Sequence, residues 1–252
     1  LEGEYRSMMD SCRRIIFPKI PKLEEDLGES YAMLQKHFPE KKASKVYSFF
    51  ISPMGANPQA AFSYGQDTIG VNWFNYLGKD FSLYPSVYEG YSYMIAWNQP
   101  QYLSRNVMLV EYNLLKEKYP TQDPSDQLIH QMIEEGKKYY YLDMVCSEVS
   151  DATKIGYSEQ QYQWCVDNQV EIWGYFLENK LLYSVETMDA KRYTQEGPTT
   201  NGMPSESPGM VGTWIGWQIV RKYADISGKS LREILQTSPK EIMSKSNFKP
   251  KK

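Results

Sequence analysis

At 252 residues, with a net charge of −3 and a pI near 5.6, the chain is long enough to bury a full core, and it has no basic excess to suggest nucleic acid or an anionic membrane surface as partner. Aromatic residues make up 14% of it, with 21 tyrosines, which favours rings filling helix interfaces with their hydroxyls at the rim. Cys12, Cys146 and Cys165 lack metal-ligand spacing, and an odd number excludes complete pairing; buried thiols are expected, with a Cys146–Cys165 bridge as the alternative.

Residues 1–20 are mixed and basic and read as a short arm ending at Pro18 and Pro21. A helix is expected over 22–38, where Leu23, Leu27, Tyr31 and Leu34 recur at helical spacing. Val46 to Ile51 reads as a buried strand, and Pro53 to Pro58 as turn material. Two further strands, Ala61 to Tyr64 and Thr68 to Asn72, flank a turn at Gly65-Gln66-Asp67. Together they suffice for a small antiparallel sheet in the N-terminal third, with the stretch Ile69 to Asn72 as an edge strand open to an extended ligand. Residues 73–100 are aromatic and irregular. Trp73, Phe74, Tyr76, Tyr84, Tyr88 and Trp97 there could form a stacking surface for glycan or fill a core.

Helices dominate the remainder: about 101–119, then from Asp123-Pro124-Ser125-Asp126 to about Cys146, then from the cap Ser158-Glu159 to about Leu182. Residues 184–207 read as a polar loop. Ser207-Pro208-Gly209 opens a fourth helix, Ser230 caps a fifth and Pro239 starts a sixth. Gly212 and Gly216, four apart, would let the fourth approach the 158–182 helix closely, with Trp214, Ile215, Ile219 and Val220 buried against it. No Pro/Gly-rich linker divides the chain, so it reads as one domain, 1–252, with a disordered tail at 246–252.

The stretch Val107 to Leu115 has the frame of a zinc-protease helix, His-Glu-x-x-His, with both histidines missing. Val110 and Leu114 stand at the ligand positions and Glu111 at the general-base position. Two residues four apart share a helix face, but valine and leucine have no lone pair to give a metal. The same pattern also describes an ordinary amphipathic helix. Glu134-Glu135-Gly136 on the next helix stands where one branch of such proteases keeps a third ligand. A displaced metal site built from His130, Glu134 and Glu111 is a second reading, against an ordinary polar pair at 130 and 134. Glu111 in an apolar cleft requires a partner, for which His130, Lys137, Tyr139 or Tyr140 are in view. No serine-nucleophile elbow or phosphate loop is present.

Several motifs in order resemble the gliding-motility lipoproteins of the GldB type: Tyr76-Leu77-Gly78-Lys79-Asp80 with Tyr84-Pro85, Ile133 to Lys137, Lys154 to Ser158, Trp164 through Tyr183, and Ser207 to Tyr223. The likeness covers roughly residues 70–245. It implies a mainly helical, zincin-like α+β domain whose metal motif has decayed, with no catalytic residues, no metal and no cofactor. It also implies an exported lipoprotein of the Bacteroidetes cell envelope, periplasm-facing or in the outer membrane, with its signal sequence removed. Contact with the membrane would then be only through a lipid anchor removed with the N-terminus. The expected partner is an envelope protein or an extended peptide or glycan, with a link to gliding or secretion machinery.

Overall fold

A computed structural model describes residues 2–50, 60–65 and 67–250, with side chains from residue 6 onward. The expected turn at Pro53 to Pro58, the strand end at Ile51 and the turn position Gln66 lie outside the described residues. Two compact units result: Leu1–Leu114 with Val145–Val149, and Leu115–Met144 with Ser150–Lys252.

In the first unit the expected arm is helical. Helix α1 (Glu2–Ile15) leads through a 3-10 turn at Phe17–Lys19 into α2 (Ile20–His37). Pro18 and Pro21 do not end a helix; each sits in the first two positions of one, where a missing N–H leaves no bond unmade. Met8, Cys12 and Ile16, each four apart, are buried, so this segment belongs to the core.

The strands are β1 (Lys45–Phe49), β2 (Ala61–Ser63) and β3 (Thr68–Asn72), in the order β1-β3-β2. The sheet is mixed and not antiparallel: β1 runs parallel to β3 and only β2 is antiparallel to it. Because β3 is the central strand, with partners on both sides, Ile69 to Asn72 is no open edge. The aromatic stretch becomes short helical turns, Trp73–Tyr76, α3 (Tyr84–Val87), Ser92–Trp97 and Pro100–Tyr102, before α4 (Leu103–Lys118). Val107, Met108 and Tyr112 are the buried stripe of α4 within this unit.

The second unit holds α5 (Leu128–Val145) up to Met144, then α6 (Asp151–Ile155), α7 (Glu159–Asp167), α8 (Gln169–Glu178), α9 (Thr187–Thr194), α10 (Val211–Ser227), α11 (Leu231–Gln236) and α12 (Pro239–Ser246). Capping boxes open α7 (Ser158 with Gln161) and α11 (Ser230 with Glu233). The single helix expected over 158–182 is broken at Asn168, whose side-chain amide donates to the Trp164 carbonyl at 2.8 Å and competes with the helical ladder. The expected loop at 184–207 contains α9, because Ala190 and Tyr193 are buried on it. The tail expected to be disordered keeps α12 to Ser246, and Phe248 packs edge-on against Trp173 at 5.5 Å.

Helix α10 is the axis of this unit and packs against α8, α9 and α12. Trp214, Ile215, Trp217, Ile219 and Val220 on it are all fully buried or within 1% of it. It meets α5 at a crossing of two glycines. A methyl group at Gly216 would stand 1.8 Å from the Met132 carbonyl oxygen, and one at Gly136 would stand 2.3 Å from the Gly216 carbonyl carbon. Only hydrogen fits between these backbones.

Candidate functional site

On α4, Val110 and Leu114 are half-buried, whereas Glu111 is 0% exposed. The partners of Glu111 are not those expected from the sequence. Tyr31 of α2 donates its hydroxyl to Oε1 at 2.9 Å, and the Lys41 ammonium stands 3.0 Å from Oε2. The latter contact is Coulombic and not an aligned hydrogen bond, since Oε2 has no well-directed donor among the described residues. Lys41 also reaches the Ser44 hydroxyl at 3.4 Å. Burial, and then the neighbouring carboxylate, push the Tyr31 hydroxyl far above its ordinary range, so it remains a donor.

This geometry does not fit zinc. The two positions that would carry imidazoles carry hydrocarbon, and the carboxylate between them already faces an ammonium. A second cation beside Lys41 would be repelled by it.

In the second unit Lys137 takes the Glu134 carboxylate at 2.9 Å, the Thr121 hydroxyl at 3.0 Å, and the Leu235 and Thr237 carbonyls at 3.0 and 2.7 Å. A completely buried ammonium thus closes the C-terminus of α11. Lys116, in the last turn of α4, adds an ion pair to Glu134 at 3.2 Å. Burial raises the pKa of Glu134, but the charge and hydrogen bond of Lys137 outweigh it and the group stays ionised below its ordinary range. Burial lowers the pKa of Lys137, against the pull of Glu134.

Glu135 points elsewhere, to Lys138 at 2.9 Å, with 39% of its side chain exposed. His130 shares a 2.7 Å contact between Nδ1 and the Ser125 hydroxyl. Burial and Lys240 lower its pKa, and Asp123 opposes them. His130, Glu134 and Glu111 each have their own partner. Among the described residues no three His, Cys, Asp or Glu side chains come together to hold an ion. Gly136 is accounted for by the crossing with Gly216, without reference to a metal.

The aromatic surface also gives way to packing. Phe74, Tyr76 and Tyr84 are 0% exposed and Tyr88 is 4% exposed, while Trp73 and Trp97 are half-buried. Phe74 and Tyr84 meet edge-to-face at 5.2 Å, and Tyr84 and Tyr88 at 5.8 Å. The Tyr84 hydroxyl donates to the Phe74 carbonyl and accepts from the Leu77 N–H, and Asn75 donates to the Tyr88 hydroxyl at 3.0 Å. The short helical turns direct these rings inward as the core of the first unit.

Sequence reasoning missed Tyr31 and Lys41, and also a charged cluster in the second unit. Arg221 donates to both oxygens of Asp143 at 2.7 Å, reaches Asp151 at 2.8 Å and lies 4.0 Å over the Trp217 ring. Lys154 and the Trp217 indole N–H complete the shell of Asp143. Its members are scattered in the sequence from Asp143 to Arg221, and no local spacing marks them. Cys12, Cys146 and Cys165 are buried and form no disulfide with one another.

A family model described as gliding motility protein GldB matches residues 3–250. The chain belongs to the GldB family of gliding-motility lipoproteins. For this GldB-family chain no curated protein and no solved structure gives a match. Among the described residues no helix is long and apolar enough to cross a membrane.

Proposed function

We propose that this GldB-family lipoprotein is a non-catalytic binding component of the cell envelope, with a zincin-like helix frame that no longer supports hydrolysis. The carrying observation is the state of Glu111. A general base must exchange protons with a water that faces substrate. Glu111 is sealed from solvent and committed to Tyr31 and Lys41. Val110 and Leu114 beside it can donate nothing to a metal, so neither a bound hydroxide nor a free base is available there.

Family membership favours lipid anchoring and a role beside gliding or secretion machinery, on the periplasmic side or at the outer membrane, with an envelope protein or an extended polymer as the bound partner. Metal analysis of purified protein and a peptide-library digest test the reading together. The expected result is zinc below about a tenth of an equivalent, far from the stoichiometric metal of a working catalytic site, with no cleavage above a Glu111→Gln control. Near one zinc per chain, lost together with a peptidase activity on chelation, overturns it.

A further inference from the structure

A cleft of about 870 Å³ opens in the second unit, between α10, α7, the start of α8 and the segment after α12. Its size lies within the roughly 300–1,000 Å³ of small-ligand sites. Trp214 and Gln218, one turn apart on α10, line it, and both carry an unused donor: the Trp214 indole N–H and the Gln218 side-chain amide are buried and meet no acceptor among the described residues. Trp214 itself is 1% exposed. Buried donors without acceptors are rare, and two on one face of one helix mark a place where acceptors are supplied from outside the chain.

The remaining lining indicates what supplies them. Tyr162 and Phe248, both half-buried, present ring surface. Lys222 and Lys249 are balanced by Asp167 and Asp225, and Arg221 is neutralised by Asp143 and Asp151. The cleft therefore does not select an ion by charge. It offers donors and acceptors in both senses beside aromatic faces, which suits a polyhydroxyl ligand with an apolar C–H face. A peptide strand is less suited: all described strands lie in the first unit, so the cleft offers no strand edge to pair with.

We propose that this cleft binds a neutral saccharide, with Trp214 and Gln218 donating to its oxygens at the base and Tyr162 and Phe248 packing against its ring face. This site is separate from the aromatic stretch 73–100, where Phe74, Tyr76, Tyr84 and Tyr88 belong to the core of the first unit.

The test titrates the full chain with three neutral trisaccharides (cellotriose, maltotriose and chitotriose), with trialanine and trigalacturonate as controls, read by tryptophan fluorescence and saturation-transfer NMR. At least one neutral trisaccharide is expected to bind at millimolar concentration or below, with neither control competing. Gln218→Ala should weaken that binding about tenfold, the scale of one hydrogen bond, at an unchanged melting temperature. Phe248→Ala, at the rim, provides a second variant that does not disturb α10 and should weaken binding by a similar factor. No binding of any of the three, a control binding in their place, or wild-type affinity in both variants each overturns the proposal.

Discussion

Glu111 on α4 and Glu134-Glu135-Gly136 on α5, the two stretches whose spacing resembles a zinc-protease frame, are held by different physics. In the first unit a single carboxylate is withdrawn from solvent and matched by one phenol and one ammonium. In the second, Glu134 closes a polar knot around Lys137, Glu135 sits in a surface pair, and Gly136 is needed because a helix crosses it. A residue that fits the spacing of a catalytic motif can serve electrostatic satisfaction in one place and backbone clearance in another.

The strongest test of the contrast is steric. Gly216→Ala should cost about 4 kcal/mol or more, above the usual overpacking range of about 1–3 kcal/mol, because the obstacle is the Met132 backbone and not a side chain that can rotate away. Urea unfolding followed by far-UV circular dichroism measures it, and a cost below about 1 kcal/mol would mean the helices separate freely. Next is the charge: Lys41→Met leaves Glu111 with Tyr31 alone and should cost about 3 kcal/mol, the low end for stranding a buried ion. Glu111→Gln keeps the shape and the Tyr31 contact, and should cost only about 1–2 kcal/mol by the same assay. A reversal of that order would show that Lys41 is dispensable and that the carboxylate is solvated.

The smallest effect concerns acid. Hydrogen bonds from Tyr223, Lys229 and Lys245 hold the Glu241 carboxyl at about 2, and Glu134 and Asp151 are also below their ordinary range. A carboxylate with a lowered folded pKa stabilises the fold above its unfolded pKa and loses that contribution as pH falls through the folded value. Stability should therefore decline from the ordinary carboxylate range down toward pH 2. Glu241→Gln should remove part of that slope, less than about 1 kcal/mol given its solvent exposure. A slope identical to that of the parent protein would show the pairs to be idle.

Local chemistry explains what could be read from the sequence. Ser158, Ser230 and Pro239 mark helix starts because caps and first-turn prolines act within about four residues. The antiparallel β2–β3 pair was legible from two short strands close in sequence, whereas the parallel β1–β3 pairing was not, since alternation carries no direction. Pro18 and Pro21 misled because proline both ends helices and begins them. At the candidate site, positions 110, 111 and 114 on one helix were correctly placed. The partners of Glu111 were not, because Tyr31 is 80 residues away and is buried by tertiary packing that no periodicity encodes. Glycine spacing on α10 did foretell a close approach, but the backbone met at Gly216 is that of α5, with Gly136 as the counterpart, and not that of the helix expected at 158–182.

The discontinuity of the first unit bears on how the protein is made. Its last piece, Val145–Val149, begins at the final residue of α5, and Val145 and Cys146 are fully buried, with the Cys146 sulfur 3.7 Å from the Ser30 hydroxyl. Wherever the chain emerges N-terminus first, from a ribosome or an export channel, residues 1–114 appear well before the segment that completes their core. They must wait, incompletely closed, for all of α5 to emerge. A chain arrested at about residue 120 should remain protease-sensitive in its N-terminal part, and one arrested about 30 residues or more beyond Val149 should become resistant.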